Sequence, residues 1–240
     1  MDFLFISLCF LYTTKMTFIA LESSTDVCSA ALFIGDNCIS SLVEQGGANH
    51  AKQLPLFVEQ LISLASEKGA TLDFICLSQG PGSYTGLRIG TALAKGLCYG
   101  MNIPLVAIDT LQLLACSVPA QQYDLICPMI DARRMEVYTA LYTPDLQRIG
   151  DIQALVVNNE SFKQELTDKR VCFCGNGAEK CKKVISSNNA VFLDNIIPLA
   201  ENMGRLAIEK YNERDFADIA YFDPLYLKEF QATVAKNKIF

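Results

Sequence analysis

Tryptophan is absent from this chain, histidine occurs once, and acidic residues outnumber basic ones, 26 against 20. The resulting formal charge of −6 makes the phosphate contacts that dominate nucleic-acid affinity weak or repulsive. No basic run is longer than Arg133-Arg134 or Lys182-Lys183. If RNA is involved, we therefore expect another subunit to hold it.

The lack of a second histidine bears on catalysis. His50 is followed one helical turn later by Leu54, which cannot bind a metal. A two-histidine metal site on one helix face is therefore excluded, and a Ser-His or Cys-His nucleophile pair would depend on His50 alone. A lone histidine near a helix start is more often a solvated or capping residue.

The ten cysteines are irregularly spaced, and most lie in apolar runs, where free cysteine behaves as a small hydrophobic residue. This pattern indicates reduced thiols and a cytoplasmic location. The nearest approach to a metal motif is Cys172-Phe-Cys174 with Cys181 behind it. Because residues two apart on a strand simply share one face, we expect no metal there.

The first fifteen residues form an apolar stretch that is too short to span a bilayer. No basic residue precedes its apolar core and no small-residue cleavage site follows, so a signal peptide is not favoured. The first predicted strand begins directly after Met16. We expect residues 1–15 to be an extension from an upstream start, with translation naturally beginning at Met16 and no membrane association.

The first half of the chain predicts the element order βββαβαβ. Turn-forming residues separate three β-rich runs at 17–23, 28–34 and 38–43. Apolar residues at steps of three and four then predict a helix over 51–66, closed by Gly69. Next come a buried strand at 72–78, the glycine-rich loop 79–83, a long helix to about Met101 and a strand at 104–108.

A similar order restarts near residue 125. It consists of strands at 125–130, 135–142 and 151–157, a helix near 160–168, a strand at 171–174 and a helix after Gly177. A further helix at 197–213 is expected to pack back on the sheet. This weak repeat predicts two α/β lobes joined between about 109 and 122. We place the first lobe at 16–108 and the second, smaller lobe at 109–240.

Four motifs make the assignment more specific. They are Ala20-Leu-Glu-Ser-Ser-Thr-Asp26, Gln79-Gly-Pro-Gly-Ser-Tyr-Thr-Gly-Leu-Arg-Ile-Gly90 with Ala94-Lys-Gly96, Asp131-Ala-Arg-Arg134 with Glu136-Val-Tyr138, and Pro224-Leu-Tyr-Leu227. In these motifs the chain resembles the TsaB (YeaZ) family, from about Met16 to Leu227. The resemblance implies the actin-like ATPase (ribonuclease H-like) fold with two βββαβα lobes.

The resemblance also implies a function. It implies a non-catalytic dimerisation or scaffold subunit that supports the threonylcarbamoyltransferase TsaD in forming N6-threonylcarbamoyladenosine next to the anticodon of tRNAs. The implied partners are a TsaD-like transferase and a TsaE-like ATPase, with tRNA contacted only indirectly and a homodimer when the chain is alone. TsaD uses two histidines at the spacing that Leu54 breaks here, so we expect no enzyme activity.

Small residues recur every four positions after the glycine-rich loop, at Gly82, Gly86, Gly90 and Ala94. Each glycine inside a helix costs about 1 kcal/mol relative to alanine, so some close approach must offset this cost. This glycine ridge packs either against a partner helix or against the protein's own sheet. The resemblance implies pairing with TsaD through this helix and the one at 51–66, which gives these candidate partner-binding residues: Leu54, Phe57, Leu61, Gly82, Tyr84, Gly86, Leu87, Gly90 and Ala94.

Hydroxyl groups follow the first predicted strand at Ser23, Ser24 and Thr25, where actin-like ATPases bind phosphates. Two neighbouring carboxylates would repel ATP unless Mg²⁺ intervened, and a simple hairpin turn explains the segment as well. Gly80-Pro-Gly82 lacks both the Walker and the Rossmann spacing, so a strand-to-helix turn is favoured there over phosphate binding. We expect no cofactor in the isolated chain, and ATP or ADP with Mg²⁺ only in the assembled complex.

Two alternative functions stay open at this point. An ATP-dependent kinase of the actin-like fold would show its own ATP turnover with Mg²⁺. A peptidase of the glycoprotease-like group would need a nucleophile or a metal site, which cannot be assembled from these residues.

Overall fold

The structure is a computed structural model that describes residues 15–46, 49–119 and 123–228. The predicted extension lies outside these ranges except for its last residue. No helix within these ranges is long and apolar enough to cross a membrane. The described residues form two five-stranded sheets with helices packed against them, in agreement with the predicted α/β class.

The first sheet contains the strands β1 (Thr17–Glu22), β2 (Val27–Ile34), β3 (Asn37–Gln45), β4 (Phe74–Gly80) and β5 (Leu105–Asp109). Their order across the sheet is β3-β2-β1-β4-β5. β1 pairs antiparallel with β2 and parallel with β4, so one half of the sheet is a meander and the other half is parallel. The carboxyl ends of β1, β4 and β5 therefore meet at one end of the sheet.

Two long helices cover one face of this sheet, α1 (His50–Glu67) and α2 (Tyr84–Met101). Each turns a stripe of buried apolar residues toward the side chains of β1 and β4. Ser83 caps α2 by accepting a hydrogen bond from the Gly86 N–H, and Asn102 ends the helix in a left-handed conformation. The positions of both helices agree with the sequence prediction.

The second sheet contains the strands β6 (Leu125–Asp131), β7 (Glu136–Tyr142), β8 (Arg148–Val156), β9 (Val171–Cys174) and β10 (Ala190–Phe192). Their order across the sheet is β10-β9-β6-β7-β8. The three longer strands form an antiparallel meander, which β9 and β10 extend in parallel with β6, so the order repeats that of the first sheet. The helix α3 (Thr110–Cys116) connects the two sheets.

The helices predicted in the second sheet region are shorter than expected. The segment near 160–168 forms turns and a 3-10 helix (Glu165–Thr167), and Phe162 interrupts it with a φ of +63°. The helix predicted after Gly177 is the four-residue α4 (Ala178–Cys181). Neither α3 nor β10 is predicted by the sequence.

The predicted helix at 197–213 packs on the first sheet. It consists of a 3-10 turn (Ala200–Asn202) followed by α5 (Gly204–Asn212). A Cβ on Gly204 would lie 2.6 Å from the ring of Phe33, so α5 begins very close to β2. Tyr211 near the end of α5 stacks on Phe74 of β4, with 4.5 Å between the ring centroids.

The segment after α5, which we call the C-terminal strap (residues 213–228), continues along the first lobe. The Ala217 N–H donates to the Leu105 carbonyl oxygen at 2.8 Å, and the Leu225 N–H donates to the Gln79 carbonyl oxygen at 2.8 Å. Phe222 packs into the apolar cluster beneath α1 and α2. This corrects the predicted boundary of the second lobe, because residues 200–225 lie against the first sheet.

Candidate functional site at the first turn and the second helix

The turn between β1 and β2 carries the three hydroxyl residues predicted to lie near a nucleotide. Ser23 and Ser24 have no exposed surface, and Thr25 is 8% exposed. Ser23 Oγ donates to the Gly86 carbonyl oxygen at 2.9 Å, Ser24 Oγ donates to a Glu22 carboxylate oxygen at 2.5 Å, and Thr25 Oγ1 bonds within its own turn. A phosphate at this turn would have to displace these hydrogen bonds, and the nucleotide contact stays a prediction.

The glycine ridge of α2 packs directly on this turn. A Cβ on Gly82 would overlap the Ser24 carbonyl oxygen, and a Cβ on Gly86 would overlap that of Ser23. A Cβ on Gly90 would overlap the Ser23 hydroxyl group. This corrects the partner-binding assignment of the three glycines, because their close approach is to the protein's own backbone.

Four more of the predicted partner-binding residues lie in the core. Leu54 and Ala94 have no exposed surface, and Leu61 and Leu87 are each 1% exposed. Side chains buried within this chain cannot contact another protein, so their assignment is corrected as well. The two remaining candidates, Phe57 and Tyr84, are only partly buried.

The outward faces of α1 and α2 carry apolar surface that the sequence prediction missed. Leu56 on α1 is 42% exposed, and Tyr99 on α2 is 82% exposed. Gly96 and Gly100 have open space where a Cβ would lie. Gly96 and Gly100 are also four residues apart in the sequence, like Gly86 and Gly90. Spacing alone does not tell which of these two pairs faces away from the protein.

A buried carboxyl group lies beside the same turn. One Glu22 carboxylate oxygen accepts hydrogen bonds from the Ser24 N–H and hydroxyl, both at 2.5 Å, and the other has no hydrogen-bond partner among the described residues. Burial raises the pKa of Glu22 to about 7, although the hydrogen bonds from Ser24 oppose the shift. This carboxyl group therefore changes its protonation near neutral pH.

Asp109 and Arg148 connect the two lobes. One Asp109 carboxylate oxygen caps α3 by accepting from the Leu111 N–H at 3.2 Å, and the other pairs with Arg148 of β8 at 3.1 Å. Burial raises the pKa of Asp109 to about 6, against the opposing effect of Arg148. No sequence signal identifies this pair, because its members belong to different sheets.

The residues suited to nucleophilic or metal chemistry are mostly buried. His50 is 4% exposed, and its Nε2 donates to the Thr25 carbonyl oxygen at 2.9 Å. The expected solvated or capping role is therefore wrong, since the side chain is buried and the N-cap of α1 is Asn49. Burial raises the pKa of the Cys172 thiol to about 12 and that of Cys127 further still, which makes both poor nucleophiles. No group of three His, Cys, Asp or Glu side chains that could hold a metal is found in the described part of the chain.

Comparison with known proteins assigns the family. A family model described as TsaD, tRNA N6-adenosine threonylcarbamoyltransferase, matches residues 40–235. A Bacillus subtilis protein described as tRNA threonylcarbamoyladenosine biosynthesis protein TsaB is 32% identical over 176 residues, which are 71% of this chain and 75% of that protein. The chain belongs to the TsaB family, within the wider group that the TsaD model matches.

Two further comparisons extend the similarity over most of the TsaB chain. The TsaB protein of Escherichia coli is 26% identical over 221 residues, which are 89% of this chain and 95% of that protein. The solved structure of YeaZ from Pseudomonas aeruginosa is 26% identical, has a TM-score of 0.76 and covers 88% of this chain and 100% of its own. The predicted family and the actin-like (ribonuclease H-like) fold of TsaB are thereby confirmed.

Proposed function

We propose that this chain is a non-catalytic scaffold subunit that supports a TsaD-like transferase in forming N6-threonylcarbamoyladenosine in tRNA. The observation that carries the proposal is the similarity over most of the chain to proteins named for threonylcarbamoyladenosine biosynthesis. The buried histidine and buried thiols favour an accessory role over a catalytic one. A TsaE-like ATPase is a further proposed partner, and nucleotide with Mg²⁺ is proposed only for the assembled complex.

The surface proposed for the TsaD-like partner is the outward side of α1 and α2. Leu56 and Tyr99 each supply exposed apolar area on this side, and exposed apolar surface is the kind that protein contacts cover. Gly96 and Gly100 would let a partner helix approach the α2 backbone closely. When the chain is alone, the same surface would serve a homodimer.

This surface is tested with the single variants Leu56→Glu and Tyr99→Glu. Each places a charge in the proposed contact, so affinity for the TsaD-like protein of the same cell should fall at least tenfold, or about 1.4 kcal/mol. Calorimetric titration measures the affinity. Val156→Glu is the matched control, because Val156 is 61% exposed on β8, away from both helices. Wild-type affinity in both helix variants would contradict this placement of the partner.

The accessory role is tested by activity. The purified chain alone should neither hydrolyse ATP nor modify tRNA, whereas its addition should increase tRNA modification by the TsaD-like protein. Incorporation of labelled threonine into tRNA measures the effect. ATP turnover by the isolated chain that disappears in Ser23→Ala would instead support the kinase alternative.

A further inference from the structure

The hairpin between β6 and β7 (residues 131–136) holds two consecutive arginines in an unfavourable backbone conformation. Arg133 and Arg134 have φ angles of +72° and +51°. Positive φ is uncommon for residues with a side chain, and such strain is concentrated at functional sites. Among the described residues, this is the one pair of neighbouring non-glycine residues with positive φ.

Hydrogen bonds fix the base of the hairpin. The Arg133 N–H donates to the Asp131 carboxylate at 3.0 Å, and the Glu136 N–H donates to the Arg133 carbonyl oxygen at 3.1 Å. The Asp131 N–H in turn donates to the side-chain oxygen of Asn176 at 2.9 Å. The two arginines therefore extend from a defined backbone, which lowers the entropy lost when they bind a partner.

Neither arginine is paired with the carboxylates beside it. Asp131 forms an ion pair with Lys180, and Glu136 forms one with Lys228 of the C-terminal strap. Both arginines are exposed, and neither forms an ion pair within the described ranges. Among the described residues, therefore, no carboxylate occupies either guanidinium group, and both can bind an acceptor.

The C-terminal strap places this hairpin near α2. Lys228 contacts Glu136 of the hairpin, and Tyr226 lies against Tyr84 at the start of α2, with 4.7 Å between the ring centroids. Two residues of extended chain span at most about 7 Å. The hairpin therefore lies near the start of α2, and a protein that covers the length of this helix can reach it.

We propose that Arg133 and Arg134 bind a carboxylate side chain of the protein that docks on α1 and α2, an inference that rests on the proposed function. A guanidinium group binds a carboxylate through two parallel hydrogen bonds, so one acidic residue suffices for a specific contact. RNA is the less favoured occupant, because its binding strengthens with the number of phosphates neutralised, and two arginines neutralise about two. The net charge of −6 opposes RNA further.

The test replaces both arginines in the full chain, as Arg133→Asn with Arg134→Asn. Asparagine adopts positive φ more readily, so the melting temperature should stay equal or rise, while affinity for the TsaD-like protein should fall at least tenfold. The double variant Arg133→Lys with Arg134→Lys keeps both positive charges but loses the forked geometry of the guanidinium group, so its affinity for the TsaD-like protein should fall by less. Arg214→Asn is the matched control, since Arg214 is also exposed with a φ of +58° but follows α5, and its affinity should be unchanged.

The outcomes separate this inference from the proposed function. If the unaltered chain binds the TsaD-like protein and the asparagine pair binds it equally well, the inference is overturned and the proposed function survives. If the unaltered chain does not bind that protein at all, both are overturned. If the asparagine pair keeps its affinity for the protein but loses affinity for tRNA in a gel-shift assay, phosphate is the ligand and the carboxylate proposal is wrong.

Discussion

Glu22 is a carboxylic acid without exposed surface at the end of β1, beside the first turn and α2. Its pKa is raised to about 7 because burial disfavours the charged form. An acid with a higher pKa in the folded chain than in the unfolded chain favours folding most at low pH, and this stabilisation is lost as pH rises toward the folded value. The pKa of Asp109 is shifted in the same direction by burial, to about 6.

Glu22→Gln should remove the contribution of this carboxyl group to the pH dependence of folding stability. Glutamine resembles the protonated carboxyl group, because its amide oxygen can still accept the hydrogen bonds from Ser24. Between pH 4.5 and about 7, the free energy of unfolding of the unaltered chain should fall by on the order of 3 kcal/mol, because each unit of pKa shift corresponds to about 1.36 kcal/mol. The variant should not show this decrease.

Urea unfolding of both proteins at about pH 5 and about pH 8 measures the effect. The free energy of unfolding of Glu22→Gln, relative to that of the unaltered chain, should be larger at the higher pH. Asp109 is present in both proteins, so its contribution cancels in the difference. The same difference at both pH values would mean that Glu22 titrates like an ordinary carboxyl group.

At the scale of the elements, α2 shows what sequence spacing can and cannot predict. The four-residue step correctly places Gly86 and Gly90 on one helix face, since side-chain direction follows from helix geometry, whereas Gly82 precedes the helix and its N-cap Ser83. The step does not tell what that face contacts. The contact between α2 and Ser23 joins residues that are distant in sequence, so helix spacing cannot predict it. The Asp109–Arg148 ion pair could not be predicted for the same reason.

The length of an element decides how well the sequence predicts it. The meanders and the two 18-residue helices are predicted because their pattern of apolar residues repeats several times within each element. The seven residues of α3 and the three of β10 are too few to show a period. The helix predicted near 160–168 has a suitable composition, but Phe162 interrupts it with positive φ.

Gly90→Leu should destabilise the chain, because the glycine ridge of α2 faces the first turn. The new side chain would meet the Ser23 hydroxyl and the Leu77 side chain, which lies 3.2 Å from the added Cβ. Overpacking costs about 1–3 kcal/mol, which exceeds or cancels the gain of about 1 kcal/mol in helix propensity.

Melting curves of Gly90→Leu and Gly96→Leu make the comparison. Gly96 has open space at its Cβ position, so its leucine variant should keep or slightly raise the melting temperature. Equal stability of the two variants would show that the ridge is not packed on the first turn.

At the scale of the whole molecule, the C-terminal strap contacts both lobes. Phe222 packs in the core of the first lobe, and Lys95 of α2 donates to its carbonyl oxygen at 3.0 Å. Lys228 reaches Glu136 in the second sheet. The strap is thus part of the folded body, although it follows every helix and strand of the described chain.

Phe222→Ala should lower the free energy of unfolding by about 1–3 kcal/mol, since Phe222 is partly buried and its ring fills space beneath α1 and α2. Tyr221→Ala is the matched control. Tyr221 is 85% exposed, and its removal should change stability by less than about 0.5 kcal/mol. Denaturant unfolding measures both, and equal values for the two variants would show that the Phe222 side chain adds nothing to the stability of the fold.

The path of the chain also sets the order in which the lobes are completed during synthesis. Ala217, which covers the edge strand β5 at Leu105, is made about 110 residues after it, or roughly 5–20 s later at the usual speed of translation. Until then the apolar residues that receive α5 and the C-terminal strap stay uncovered on the ribosome. The first lobe to be synthesised is therefore finished last, and its nascent form exposes apolar surface that the complete chain buries.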